Sequence, residues 1–149
     1  MEKPSGFKLS SAEPVAARED EGQLVQVKDE NGVEMFYTGQ DGKPAPVTLR
    51  VAGTYSNIYR TTELEQQRRR AGKRQSKITP EQIHANVIEL EAACILAWDG
   101  FFVDDAQTQR LELSPANARA VLNAARWIRE QVEEAMNDHA GFTKSSATR

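Results

Sequence analysis

Two apolar stretches constrain this chain more than anything else in it. One runs from Ala92 to Gly100 as AACILAWDG, the other from Asn117 to Phe142 as NARAVLNAARWIREQVEEAMNDHAGF. In the later stretch Ala118, Val121, Leu122, Ala125, Ile128, Val132, Ala135 and Met136 recur at intervals of three and four. That spacing lines one face of a helix and leaves Arg119, Arg126, Arg129, Glu130, Glu133 and Glu134 mostly off it. Ser114-Pro115 supplies an N-cap and a first-position proline, and Gly141 is the expected stop. Upstream, Thr79-Pro80-Glu81-Gln82 has the spacing of a capping box. Ile83, Val87, Leu90, Cys94, Ala97 and Trp98 then form a second stripe. From Ala92 to Trp98 the residues are apolar all round, which predicts a helix end sunk in a core. The run is far shorter than the roughly 20 residues a membrane span needs, so no membrane partner is expected.

The rest of the chain divides by composition. Residues 1–22 are rich in Ser, Glu, Ala and Pro and read as a flexible arm. Phe7 and Leu9 are its exceptions, suited to a short strand or a partner-binding peg. Residues 23–53 read as a three-stranded antiparallel meander. Its strands are Leu24 to Val27, Val33 to Thr38 and Val47 to Val51, with turns at Asn31-Gly32 and Asp41-Gly42. Residues 54–77 read as a mostly polar, projecting helix that frays near Gly72. Residues 78–142 form the helical core, with Phe101–Val103 and Leu111–Leu113 as a short hairpin or irregular loop. Residues 143–149 are a polar, mobile tail. The fold class is therefore α+β: a small N-terminal antiparallel sheet, then a bundle of three to four helices in a single domain over 23–142.

Charge is distributed unevenly. Arg60 to Lys77 holds seven basic residues against two acidic ones, and Ile78 to Phe142 holds eleven acidic against four basic, within a net charge of −3. The basic run Arg68, Arg69, Arg70, Lys73, Arg74 can fold back on the acidic bundle, meet an acidic partner, or meet nucleic acid. No aromatic residue interleaves it to stack on bases, which disfavours the third option.

Catalytic patterns are missing from the sequence. His84 sits beside an apolar stripe and reads as a partly buried structural histidine. His139 falls at the expected C-terminus of a helix, where an imidazolium complements the dipole. Cys94 lies in an apolar run without an adjacent base and reads as a core thiol; a lone cysteine also fits a reducing compartment. No glycine pattern cradles phosphate, and no ligand spacing suggests a metal. An enzyme, a cofactor and a metal site are not expected. No signal peptide is evident, so the protein is expected not to be secreted.

In the order of its segments the chain resembles the tail assembly chaperone family of long-tailed bacteriophages. The likeness is carried by AACILAWDG, the Ser-Pro-x-Asn-Ala opening at Ser114, Trp127-Ile128-Arg129-Glu130-Gln131-Val132 and Asn137-Asp138-His139-Ala140-Gly141-Phe142. Pro46 to Ser56, Tyr59-Arg60 and Phe7-Lys8-Leu9 extend it upstream. Family members often place a proline just before the Trp-Ile pair. Arg126 stands there instead, which leaves open a bend or one helix from Pro115 to His139. The resemblance implies a protein that binds the tape measure protein in the host cell cytoplasm during infection. It implies recruitment of major tail tube subunits as well. A homo-oligomer is compatible with it. The expected contact residues are Trp127, Ile128, Val132 and Met136 along a helix groove, with Arg68, Arg69, Arg70, Lys73 and Arg74 steering encounter. The alternatives are a structural minor tail or connector component of the virion, and a nucleic-acid-binding adaptor acting through the basic helix.

Overall fold

The structure, a computed structural model, describes Pro4, residues 6–72 and residues 77–147. A 3-10 turn at Leu9–Ser11 leads into α1 (Ala12–Glu21). Four short strands follow, β1 (Gln23–Gln26), β2 (Phe36–Thr38), β3 (Pro44–Pro46) and β4 (Thr48–Val51). Next come α2 (Asn57–Ala71), α3 (Pro80–Cys94), β5 (Ile95–Asp99), α4 (Pro115–Ala124), α5 (Arg126–Asn137) and α6 (His139–Ala147). The class is α+β, with antiparallel sheets early and helices late, as the sequence predicts.

The meander is replaced by a different pairing. β1 lies directly beside β4, with Gln23 opposite Val51 and Gln26 opposite Thr48, and β5 completes the sheet in the order β1-β4-β5. β2 and β3 form a separate ribbon, Phe36 opposite Pro46. The ribbon branches off where three peptides close a triangle. Val27 N–H donates to Val47 O at 2.8 Å, Val47 N–H to Met35 O at 3.0 Å, and Met35 N–H to Val27 O at 2.9 Å. Each backbone group at this junction is thus satisfied although the ladder splits.

The largest correction concerns Ala92–Trp98. The helix ends at Cys94 and the chain passes at once into β5, with Ile95 at φ −79° and ψ 107°. Leu49 and Val51 of β4 are buried, and the peptide groups on that side of β4 need a ladder partner. Pairing Leu49 with Trp98 and Val51 with Ile95 provides one. A short apolar run has no periodicity to separate strand from helix, so this tertiary demand decides it.

The later stretch is three helices. Ala125, at φ −119° and ψ 87°, ends α4 and begins α5. α4 packs on α3, whereas α5 packs against α3, β1 and β4. The bend lets one apolar stripe serve two directions. A second break at Asp138 starts α6, whose first turn is tied by Gly141 N–H donating to Asp138 Oδ1 at 3.1 Å. Gly141 therefore does not stop a helix. It permits close approach, because a Cβ there would lie 2.4 Å from both Gln23 Oε1 and Asp138 Oδ2. Residues 143–147, expected in a mobile tail, continue α6.

The N-terminal arm is corrected in the same way, since residues 12–21 are helical and α1 packs against α2 and α6. The caps read from sequence are present. Thr79 and Gln82 bond reciprocally at 3.2 Å, and Ser114 Oγ accepts from Asn117 N–H at 3.1 Å. The Phe101–Leu113 segment closes as a hairpin with one bridge, Phe102 opposite Arg110. Trp98 Nε1–H holds it to the sheet by donating to Leu111 O at 2.9 Å. Among the described residues no helix is long and apolar enough to cross a membrane.

Candidate partner-binding surface

α2 and α3 form an antiparallel helical hairpin whose base is locked. Gln66 is buried and its Nε2 donates at 2.8 Å to both Asn86 O and Glu89 Oε1. Arg69 pairs with the same carboxylate. Burial alone would push Glu89 up, but the hydrogen bonds from Gln66 and Arg69 outweigh it and hold the carboxyl below its ordinary value. The basic helix thus does not project alone, because its apolar-poor sequence is anchored by polar contacts with α3. One of its arginines is spent on the acidic bundle.

The tip of that hairpin does stand clear. Every described residue from Gln67 to Ala85 is exposed. Arg68 and Arg70 point from the last turn of α2 and make no ion pair among the described residues. Ile78 and Ile83 are exposed on the same tip, Ile83 by 54%, and Leu64 is exposed on α2 one turn before Arg68. His84, expected to be partly buried, is exposed on the same tip. Lys73 and Arg74 lie outside the described residues. At the base, Glu65, Glu89, Leu113 and Arg119 line a groove of about 370 Å³ between α2, α3 and α4.

The expected helix groove is not available. Ile128, Val132 and Met136 are 8%, 0% and 4% exposed, so they belong to the core. The stripe that carries them is the face α5 turns to the sheet, and a stripe of this kind is consumed by folding. Trp127, one residue out of phase, remains 38% exposed. Of the four apolar contacts expected, it alone faces solvent.

Two buried carboxylates escape sequence reasoning. Glu19 on α1 is 1% exposed; its Oε1 accepts from Tyr55 N–H at 3.0 Å and its Oε2 lies 2.7 Å from His139 Nδ1. His139 sits at the start of α6, not at a helix C-terminus, and stacks on Tyr55 with centroids 3.8 Å apart. A carboxylate orienting an imidazole resembles half of an acid–base device. Here it joins α1, the Tyr55 turn and α6. Glu91 on α3 is 2% exposed, and Arg129 Nε donates to its Oε1 at 3.2 Å. Its Oε2 is buried without a donor. Burial first, then the neighbouring Glu133 carboxylate, push Glu91 up to about 7, against the pull of Arg129. Only the heptad-like position of Glu91 beside Ile88 and Ala92 hinted at burial. Cys94 is fully buried, and burial above all, helped by the charges of Glu91 and Asp20, pushes its thiol up to about 12. It is a core thiol, as its sequence surroundings predict. Among the described residues no group of histidine, cysteine or carboxylate side chains is placed to hold a metal ion.

Comparison with known proteins gives one result. No curated protein and no solved structure matches the chain. Residues 54–148, from the Thr54 turn before α2 through α6, match the model of the YdaY prophage protein family. The matched region contains the exposed hairpin tip, the buried Glu91–Arg129 pair and the bend at Ala125. Since it covers well over half of the 149 residues, the chain belongs to the YdaY prophage protein family and is phage-related.

Proposed function

We propose that this prophage protein is a tail assembly chaperone that binds the tape measure protein and helps recruit tail tube subunits during tail morphogenesis. The observation that carries the reading is the α2–α3 tip, which exposes Ile78 and Ile83 together with Arg68, Arg70 and Lys77, with Leu64 exposed one turn before Arg68. An apolar helical client with acidic flanks would find both halves of its chemistry there. Apolar contact supplies affinity, and charge supplies orientation and encounter rate. Modest affinity suits a holder that must release its client, and such work needs no reacting group. The sequence likeness to tail assembly chaperones points the same way. The host cell cytoplasm during infection would be the place of action.

The direct test is co-expression with the tape measure protein of the same prophage. Recovery of a soluble complex is expected, and Ile78→Asp with Ile83→Asp should weaken it tenfold or more. An insoluble tape measure protein with no complex recovered would end the proposal. The exposed Arg68 and Arg70 also favour a second reading, a nucleic-acid-binding adaptor. It requires binding to duplex or single-stranded DNA that weakens steeply between two salt concentrations.

A further inference from the structure

β1 is an edge strand, and its outer edge is only half closed. Val27 N–H turns towards Val47, so by alternation the peptide groups of Leu24, Gln26 and Lys28 face away from β4. At Lys28 that edge is plugged. Its N–H donates to Gln131 Oε1 at 2.7 Å, and its carbonyl accepts from Gln131 Nε2 at 2.8 Å. The Gln131 amide thus occupies the place of a partner strand. Beyond the plug, a groove of about 250 Å³ runs past Leu24 and Gln26, walled by Glu134 of α5 and by Asp138 just after it. Leu24 is 59% exposed there.

At the N-terminus the chain carries a segment with matching chemistry. Phe7 and Leu9 are 80% and 81% exposed, and Lys8 between them is extended, at φ −116° and ψ 123°. We propose that Phe7–Leu9 of one copy adds as a short antiparallel strand to the edge of β1 in a second copy, with Leu9 opening out of the 3-10 turn and giving up the Ala12 N–H bond to its carbonyl. Placing Phe7 opposite Gln26, Lys8 opposite Val25 and Leu9 opposite Leu24 satisfies three conditions together. Phe7 and Leu9 exchange backbone hydrogen bonds with Gln26 and Leu24. Their side chains fall on the face where Leu24 is bare. Lys8 falls on the opposite face, shared by Gln23 and Val25. Gln23 already reaches α5 on that side, through Ala135 O at 2.8 Å, and Glu134 and Asp138 meet the ammonium there. The segment cannot serve its own β1. The Leu9–Ser11 turn and α1, about 15 Å long at 1.5 Å per residue, separate Leu9 from Gln23.

Two variants of the full chain test this, Lys8→Cys and Val25→Cys, each made alone, with the buried Cys94 left in place. Mixed under mild oxidation, they should give a disulfide-linked heterodimer that neither variant forms with wild type. The wild-type chain should associate with rising concentration in analytical ultracentrifugation. Phe7→Asp with Leu9→Asp, two exposed positions, should weaken that association at least tenfold. A chain that stays monomeric overturns the proposal. So does a mixture in which no Lys8→Cys–Val25→Cys heterodimer forms.

Discussion

Arg129 Nε donates to Glu91 Oε1 at 3.2 Å, yet burial and Glu133 make Glu91 hold its proton to a higher pH than an ordinary glutamate. The same guanidinium also pairs with Glu133 at 3.0 Å, so one cation serves two acids between α3 and α5. A proton on Glu91 lets it hydrogen-bond to Glu133 and relieves the repulsion. The folded carboxyl titrates near 7, against 4.5 for an ordinary glutamate. Folding therefore takes up a proton between those values. The contribution to stability is complete below pH 4.5 and is lost as pH rises through about 7. Urea unfolding should show stability falling by roughly 1–3 kcal/mol across that window. Glu91→Gln, which keeps an acceptor for Arg129, should flatten the profile. An unchanged slope in that variant would assign the pH dependence to other groups.

Gly53 is required by space. A Cβ at this position would sit 1.9 Å from Glu19 Oε1 and 2.8 Å from Phe142 Cε2. Gly53→Ala must push the buried carboxylate off Tyr55 N–H and His139. The expected cost is about 2–4 kcal/mol, read as a Tm lowered by about 5–12 °C.

The two faces of α5 should respond unequally. Val132 is fully buried, and Val132→Ala should cost about 1–3 kcal/mol through lost contacts and a cavity. Trp127→Ala on the exposed side should change stability by about 1 kcal/mol or less. Urea midpoints with unchanged m-values separate the two outcomes.

Cys94 should be inert while the protein is folded. Its thiol is buried and pushed up to about 12, so almost no thiolate exists at neutral pH. Labelling with an aromatic disulfide at pH 8 should run on the order of 100-fold slower than in urea-unfolded chain. A native rate equal to the unfolded one would mean that the α3–β5 junction opens freely.

Local chemistry was legible in the sequence. The capping box at Thr79, the Ser114 cap, the buried Cys94 and the antiparallel character of residues 23–51 all follow from neighbours a few positions apart. What could not be read depends on distant partners. Residues 12–21 look too polar to dock, until Tyr55 and His139 supply bonds to Glu19. Ile95–Asp99 has no pattern of its own, and β4 recruits it. The contact residues fared unevenly for the same reason. A stripe of Ile128, Val132 and Met136 announces burial, and only the fold shows that the sheet itself does the burying. The charge run left three uses open in the sequence, and the fold settles only that Arg69 pairs with Glu89 of α3 while Arg68 and Arg70 stay exposed.

The junction at Cys94–Ile95 has a mechanical consequence. Helix gives way to strand without a single intervening residue, so no slack segment separates the hairpin tip from the β4–β5 ladder. A ligand that tilts α3 at its far end works a lever whose fulcrum is the sheet. The displacement must be absorbed by the ladder or resisted by it, because no hinge lies between them.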